Sequence, residues 1–178
     1  MIENKKLQFM YLGIALFSSF CSITKFYVIP CSNMVGLTCL IDFYFVNKKD
    51  MMLHHTIVIA MTHYMNHHDF EIKKQIVCIV LNTEISTIFL TTHNLINSAS
   101  NIVVFKNINK LFFITTFVYY RIYNYSYLLL DQNIHTTLYN YSRNNFEYCE
   151  IYASLYGLFL LNLYWSYLIF KKMHKMKQ

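Results

Sequence analysis

Asp50, His54 and His55 stand at the head of an apolar stretch, in the order Lys49-Asp50-Met51-Met52-Leu53-His54-His55-Thr56. Residues four apart share a helix face. Asp50 is therefore placed to orient the His54 imidazole, and His54 to take a proton from a lipid hydroxyl or amine. A plainer alternative is that Asp50 caps the helix N-terminus, where an anion is favoured, with the imidazoles at headgroup level. His55 is turned by about 100° from His54, so both line one site only if it lies between helices. Protonatable groups inside a bilayer are expensive, and by default they mark function. The reading depends on whether the surrounding elements cross a membrane.

Composition says that they do. Of 178 residues, 56% are apolar and 13% are charged, against roughly a quarter charged in soluble domains. A net charge of +6 raises nucleic-acid binding as an option. That reading is rejected because the lysines fall in small groups between apolar runs and form no single basic face. The five cysteines show no CxxC pair, and most lie in apolar runs as small hydrophobes. A disulfide framework is not expected.

Six apolar runs follow along the chain: Phe9 to Ile29, closed by Pro30; Asn33 to Val46; Met51 to Tyr64; Gln75 to Ile96; Leu111 to Leu130; and Ile151 to Phe170. Runs one, four, five and six approach the roughly 20 residues that a span requires. Runs two and three are short, and read as a short helical pair or a re-entrant hairpin. The first run is a poor signal peptide, because bulky residues surround Lys25 where a small-residue cleavage site would be needed. Six spans with a cytoplasmic N-terminus put Lys5, Lys6, Lys48, Lys49, Lys106, Lys110, Lys171, Lys172, Lys175 and Lys177 inside. Only Lys73, Lys74 and Arg143 fall outside, and Lys25 and Arg121 fall within spans. Ten against three is a strong positive-inside bias. The expected fold is all-α: a polytopic membrane protein of about six transmembrane helices around a central lipid cavity, with both termini cytoplasmic. Residues 8–172 form one transmembrane domain and 173–178 a basic cytoplasmic tail.

This topology sets depths. Asp42 and the Asp50/His54/His55 group lie near the cytoplasmic ends of spans two and three. Glu84 and Arg121 fall near the middles of spans four and five, where they are natural partners, and Asn162 towards the inner half of span six. Asp42, Glu84, Arg121 and Asn162 are the expected cavity-lining residues. Ser86, Thr87, Thr91 and Thr92 suit interhelical hydrogen bonds. Trp165 and the many tyrosines suit packing or interface anchoring. His67, His68 and Asp69, with His63, form a cluster in an external loop that lacks an evident third ligand at tetrahedral spacing, so no metal is expected. No G-x-S-x-G, P-loop or H-E-x-x-H motif occurs.

The stretch Ile41-Asp42-Phe43, followed by Lys49 to Thr56, resembles the signature of the TLC-domain family. That family includes ceramide synthases, the translocon-associated TRAM proteins and TLC-domain proteins of unassigned role. Glu84-Ile85-Ser86-Thr87-Ile88-Phe89 resembles the family's "E-(I/L)-S-(T/S)-P-F" block, with Ile88 where many members have Pro. Tyr120-Arg121-Ile122 resembles its "(F/V)-x-R-I" element, and Leu161-Asn162-Leu163-Tyr164-Trp165 with Lys171 and Lys172 its closing helix. The blocks run in family order from about Asp42 to Lys172. Ceramide synthases carry an "H-D-x-x-D-x-x-L-E" run ahead of the glutamate, where this chain has Ile76, Val77, Val80 and Thr83. It is thus more similar to the wider TLC-domain group. The resemblance implies a multi-pass, lipid-binding or lipid-acting protein of the endoplasmic reticulum, serving membrane lipid homeostasis or trafficking. Its alternative implication is an acyltransferase of ceramide synthase type. There His54 and His55 take the acceptor's proton, Asp50 orients one imidazole, and acyl-CoA is the co-substrate, with no other cofactor. The partners implied are membrane lipids.

Two outcomes test the topology. Protease added outside sealed microsomes removes a C-terminal epitope tag. The sequon Asn140-Tyr141-Ser142, expected in a lumenal loop, carries a glycan that N140Q abolishes. A protected tag reverses the orientation.

Overall fold

A computed structural model describes residues 2–43, 48–66, 71–97, 103–142 and 144–175, and every regular element among them is helical. These elements are α1 (Ile2–Thr24), α2 (Val28–Asp42), α3 (Lys49–Asn66), α4 (Glu71–Asn82), α5 (Glu84–Asn97), α6 (Val103–Phe117), a π-helical turn (Val118–Tyr123), α7 (Asn124–Leu130), α8 (Gln132–Tyr141) and α9 (Asn145–Lys175). Three stretches are long and apolar enough to cross a bilayer: Lys6–Thr24, Lys73–Ile96 and Asn145–His174. They correspond to runs one, four and six. Run five is covered by a continuous helical path from α6 through the π turn to α7. Runs two and three give the short helices α2 and α3. These lie antiparallel, because Phe43 meets His55 at one end and Gly36 meets Thr62 at the other.

The first run ends earlier than the sequence predicts. α1 stops at Thr24, and Lys25 and Tyr27 take positive φ values of 59° and 52°, which reverses the chain. Pro30 does not close the first span. It sits in the first turn of α2, where its missing N–H leaves no intrahelical bond unmade. Lys25 accordingly lies in a turn and not within a span.

Lipid offers no hydrophobic drive between helices, so close packing and hydrogen bonds hold them together. α1 presents a stripe of small buried residues, Ala15, Ser18, Ser19 and Ser22, which lets it lie against α4 and α5. The Ser22 hydroxyl donates to the Cys78 carbonyl at 2.7 Å, and Asn82 Oδ1 is equally near. Bulky residues of the same helix, among them Phe9, Leu16, Phe17, Phe20 and Ile23, are exposed. So are Leu160, Leu163, Tyr167 and Phe170 of α9. An apolar exterior of this extent suits a hydrocarbon solvent. All five cysteines carry free thiols.

The external loop expected around Asn140 is the helix α8. Asp131 caps it by accepting from the Asn133 N–H at 2.9 Å. His135 ties it down, with Nε2 2.8 Å from the Leu129 carbonyl and Nδ1 3.1 Å from the Tyr148 hydroxyl.

Between α2, α3 and α4 the described residues leave a crevice lined by Ser32, Val35, Val58, Met61, Val77 and Leu81, among others. It has room for about one water molecule, and none of the expected site residues lines it.

Gly36 makes the α2–α3 approach testable. A Cβ there meets three Thr62 side-chain atoms at 3.0, 3.0 and 3.1 Å, and a β-branched neighbour is stiff. G36L is expected to destabilise the protein by about 1–3 kcal/mol, read as a lower unfolding midpoint in detergent. A methyl group added at Gly13 meets nothing within 4 Å, so G13A leaves that midpoint unchanged or slightly raised.

Candidate functional site

The C-terminal end of α2, the N-terminal end of α3 and the first half of α1 converge on Asp42. Its carboxylate is buried and accepts a hydrogen bond from the Tyr11 hydroxyl at 2.5 Å. His55 is also buried, and its Nε2 lies 4.0 Å from the second oxygen of Asp42. That is an ionic contact when the imidazole is protonated, and about 1 Å longer than a hydrogen bond. The His55 ring is tilted against Phe43 on one side and His54 on the other, at centroid distances of 6.4 and 5.7 Å.

His54 continues the track towards α9. Its ring lies 5.2 Å from the Trp165 ring. The indole N–H of Trp165 donates to Asp50 Oδ2 at 2.9 Å. Asp50 and His54 share a face of α3, but the carboxylate's hydrogen bond goes to Trp165, and no bond joins Asp50 to His54 among the described residues. The geometry thus places Asp42 beside the His pair, while Asp50 holds α3 to α9. Nδ1 of His54 and Nδ1 of His55 are both buried without a hydrogen-bond partner among the described residues. Buried polar atoms are ordinarily satisfied, and these two nitrogens on adjacent rings are exceptions.

Arg121 forms the other half of the site. It is 7% exposed and is clasped by three neutral oxygens. Its Nε donates to Ser86 Oγ at 2.8 Å, Nη2 to Thr87 Oγ1 at 3.0 Å and Nη1 to Asn162 Oδ1 at 3.3 Å. The guanidinium carbon stands 5.5 Å from the centre of the Phe117 ring and 5.8 Å from that of Trp165, within cation–π range. The expected Glu84–Arg121 pair is corrected here: no ion pair within 4.0 Å joins them among the described residues. Glu84, half-buried at the start of α5, acts on Arg121 only at longer range.

The backbone departs from α geometry just before Ser86 and at Arg121 itself. α4 and α5 are separated at Thr83, where the Thr83 N–H bonds to the Val80 carbonyl at 3.1 Å and the Ser86 N–H to the Thr83 carbonyl at 3.2 Å. The Thr83 hydroxyl also donates to the Val80 carbonyl, at 2.7 Å. The Ser86 hydroxyl accepts from Arg121 and passes its own proton to the Thr83 carbonyl at 2.7 Å. Opposite, Arg121 sits in the π turn. Irregular backbone at membrane depth persists only where protein or a polar site satisfies it, and π turns recur at functional sites.

The structure therefore gathers Asp42, Asp50, His54, His55, Arg121 and Asn162 into one region linked through Trp165, with Glu84 at its edge. Sequence reasoning set Trp165 aside as packing and missed Tyr11. Trp165 is the single tryptophan, a signal that could have drawn notice, whereas Tyr11 is one of 16 tyrosines and carries none. Ser86 and Thr87 make the interhelical bonds expected of them. His67, His68 and Asp69 lie outside the described residues. Among the described residues no group of three or more His, Cys, Asp or Glu is placed to hold a metal ion.

Residues 6–171 match the family described as TLC domain, the TRAM, LAG1 and CLN8 group. No curated protein and no solved structure matches the chain.

The clasp predicts a stability difference between two cations. Lysine cannot supply the guanidinium's forked donors, so R121K leaves hydroxyl and amide acceptors unmatched. It is expected to destabilise by about 1–3 kcal/mol, with S86A costing less because a single contact is lost. Equal unfolding midpoints for R121K and the native protein would rule out the clasp.

Proposed function

The chain belongs to the TLC-domain family, an integral membrane group linked to lipid metabolism, and we propose that it holds a lipid by its polar head at the His54/His55 cluster. Through that site it acts in membrane lipid homeostasis or trafficking. The observation that carries this reading is the pair of buried, unpartnered imidazole nitrogens between Asp42 and Trp165. Acyl chains gain little from moving out of one hydrocarbon environment into another, so selectivity rests on polar groups. Three carboxyl groups, Asp42, Asp50 and Glu84, and one guanidinium, Arg121, surround the site. Such a set favours a head rich in hydroxyl or amine donors. The site lies towards the cytoplasmic face in the six-span topology, and the endoplasmic reticulum is the proposed home.

A second reading is an acyltransferase that moves the acyl group of a thioester to a lipid amine or hydroxyl, forming an amide or ester as the C–S bond breaks and the free thiol leaves with the acceptor's proton. The approach of His55 Nε2 to Asp42 favours it. Closure by about 1 Å gives an Asp–His hydrogen bond that fixes the tautomer and leaves Nδ1 as the base. In that reading Asp42 orients His55, and Asp50 positions α3 through Trp165. Acyl-CoA is the co-substrate.

One experiment separates the two. The protein is expressed in membranes without endogenous ceramide synthase and supplied with labelled acyl-CoA and several acceptors. The lipid-holding reading expects no labelled product and a copurifying lipid that is depleted in H54A and H55A. Labelled product that vanishes in both variants establishes the enzyme instead. A lipid content indifferent to both substitutions, with no product, removes both readings.

A further inference from the structure

The two imidazole nitrogens on which the proposed function turns are out of reach in this structure. Nδ1 of His54 and Nδ1 of His55 are buried, and neither residue lines the crevice between α2, α3 and α4. A lipid head meets them only if helices part. The seams of α3 differ in what such parting would break. Against α2, contacts occur near both ends of α3: His55 faces Asp42 and Phe43 at one, and a Cβ on Gly36 would press on Thr62 at the other. Against α9 the seam is uneven. At its far end the Tyr64 hydroxyl donates to Glu150. Nearer the middle, a Cβ on Gly157 would stand 3.0 Å from Ile57 Cδ1, so the two helices touch closely there. At the near end a single hydrogen bond crosses the seam among the described residues, from the Trp165 indole N–H to Asp50 Oδ2 at 2.9 Å.

Both partners of that bond are half-buried, so it lies at the edge of the bundle. A hydrogen bond to a charged group contributes about 1.5–3 kcal/mol, the scale that separates a major conformer from a minor one. The indole also has a second resting place. Its ring lies 5.2 Å from the His54 ring, tilted by 58°, and 5.8 Å from the Arg121 guanidinium carbon. Arg121 is fixed by Ser86, Thr87 and Asn162. None of these belongs to α3, and Asn162 stands on α9 itself, three residues before Trp165. Separation of α3 from Trp165 therefore leaves the indole on Arg121 and the clasp intact, and uncovers the His54 ring.

We infer that the Asp50–Trp165 hydrogen bond is the latch of a gate: its release lets the first turns of α3 swing from α9 about the Gly157–Ile57 contact and opens His54 to a lipid head from the cytoplasmic leaflet. The gate rests on the reading of the His cluster as a lipid site, and its leaflet on the six-span topology.

Diethyl pyrocarbonate modifies neutral imidazole and reads the opening without any lipid. The full chain in detergent near neutral pH is treated briefly, and modification of His54 is measured by mass spectrometry. His135, whose ring is bonded at both nitrogens on α8, is measured in the same digest. Loss of the latch is expected to raise the His54 rate on the order of tenfold in D50A, and equally in W165F, which keeps an aromatic ring and lacks the N–H. D50A/W165F rises no further than either single variant, because both remove one interaction. Y64F, which cuts the far end of the seam, leaves the His54 rate unchanged. A native His54 rate equal to those of D50A and W165F overturns the gate. So does a double variant whose rise is the product of the two, an equal rise in Y64F, or a matching rise at His135, which marks general loosening. The rates are read without lipid, so their failure removes the gate alone, while a lipid content indifferent to H54A and H55A removes the lipid reading and leaves the rates as they stand.

Discussion

A guanidinium sunk among helices that face hydrocarbon governs much of this structure. Arg121 has five N–H donors and is buried among helices. The surrounding protein must supply acceptors or the charge cannot stay. Ser86, Thr87 and Asn162 come from two different helices to do so. Their arrival constrains the path of α5, the π turn and α9 together. At the break, the Thr83 carbonyl accepts from both the N–H and the hydroxyl of Ser86, while that hydroxyl accepts from Arg121. Arg121 is thus less a partner for Glu84 than the point at which three helices are registered.

From that point the polar groups run as a connected series. Trp165 faces Arg121 on one side and His54 on the other, and its N–H holds Asp50. His54 stacks towards His55, His55 approaches Asp42, and Asp42 is held by Tyr11 of α1. Five helical segments contribute, and every contact in the series except that between His54 and His55 also pins two segments together. In a bilayer, where apolar surfaces have little reason to prefer one another over lipid, such contacts add specificity that packing alone lacks. The same side chains therefore serve both architecture and recognition, and substitutions among them will move both.

Membership of a helical membrane class was readable without coordinates, because apolar run lengths and lysine placement depend only on local composition and bilayer thickness. Asp42, His54, His55, Arg121 and Asn162 also stood out, since a polar group in an apolar run is conspicuous wherever it points. Pairing was not readable. Asp50 and His54 are helix neighbours, yet the indole of Trp165, 115 residues away, takes the carboxylate. Glu84 and Arg121 share a depth, yet a serine at 35 residues' separation meets the guanidinium. Local periodicity fixes which residues lie on a helix face, whereas the rotation of one helix against another decides which face meets which. That rotation is set by side-chain contacts summed over the whole bundle, and only the tertiary structure contains it.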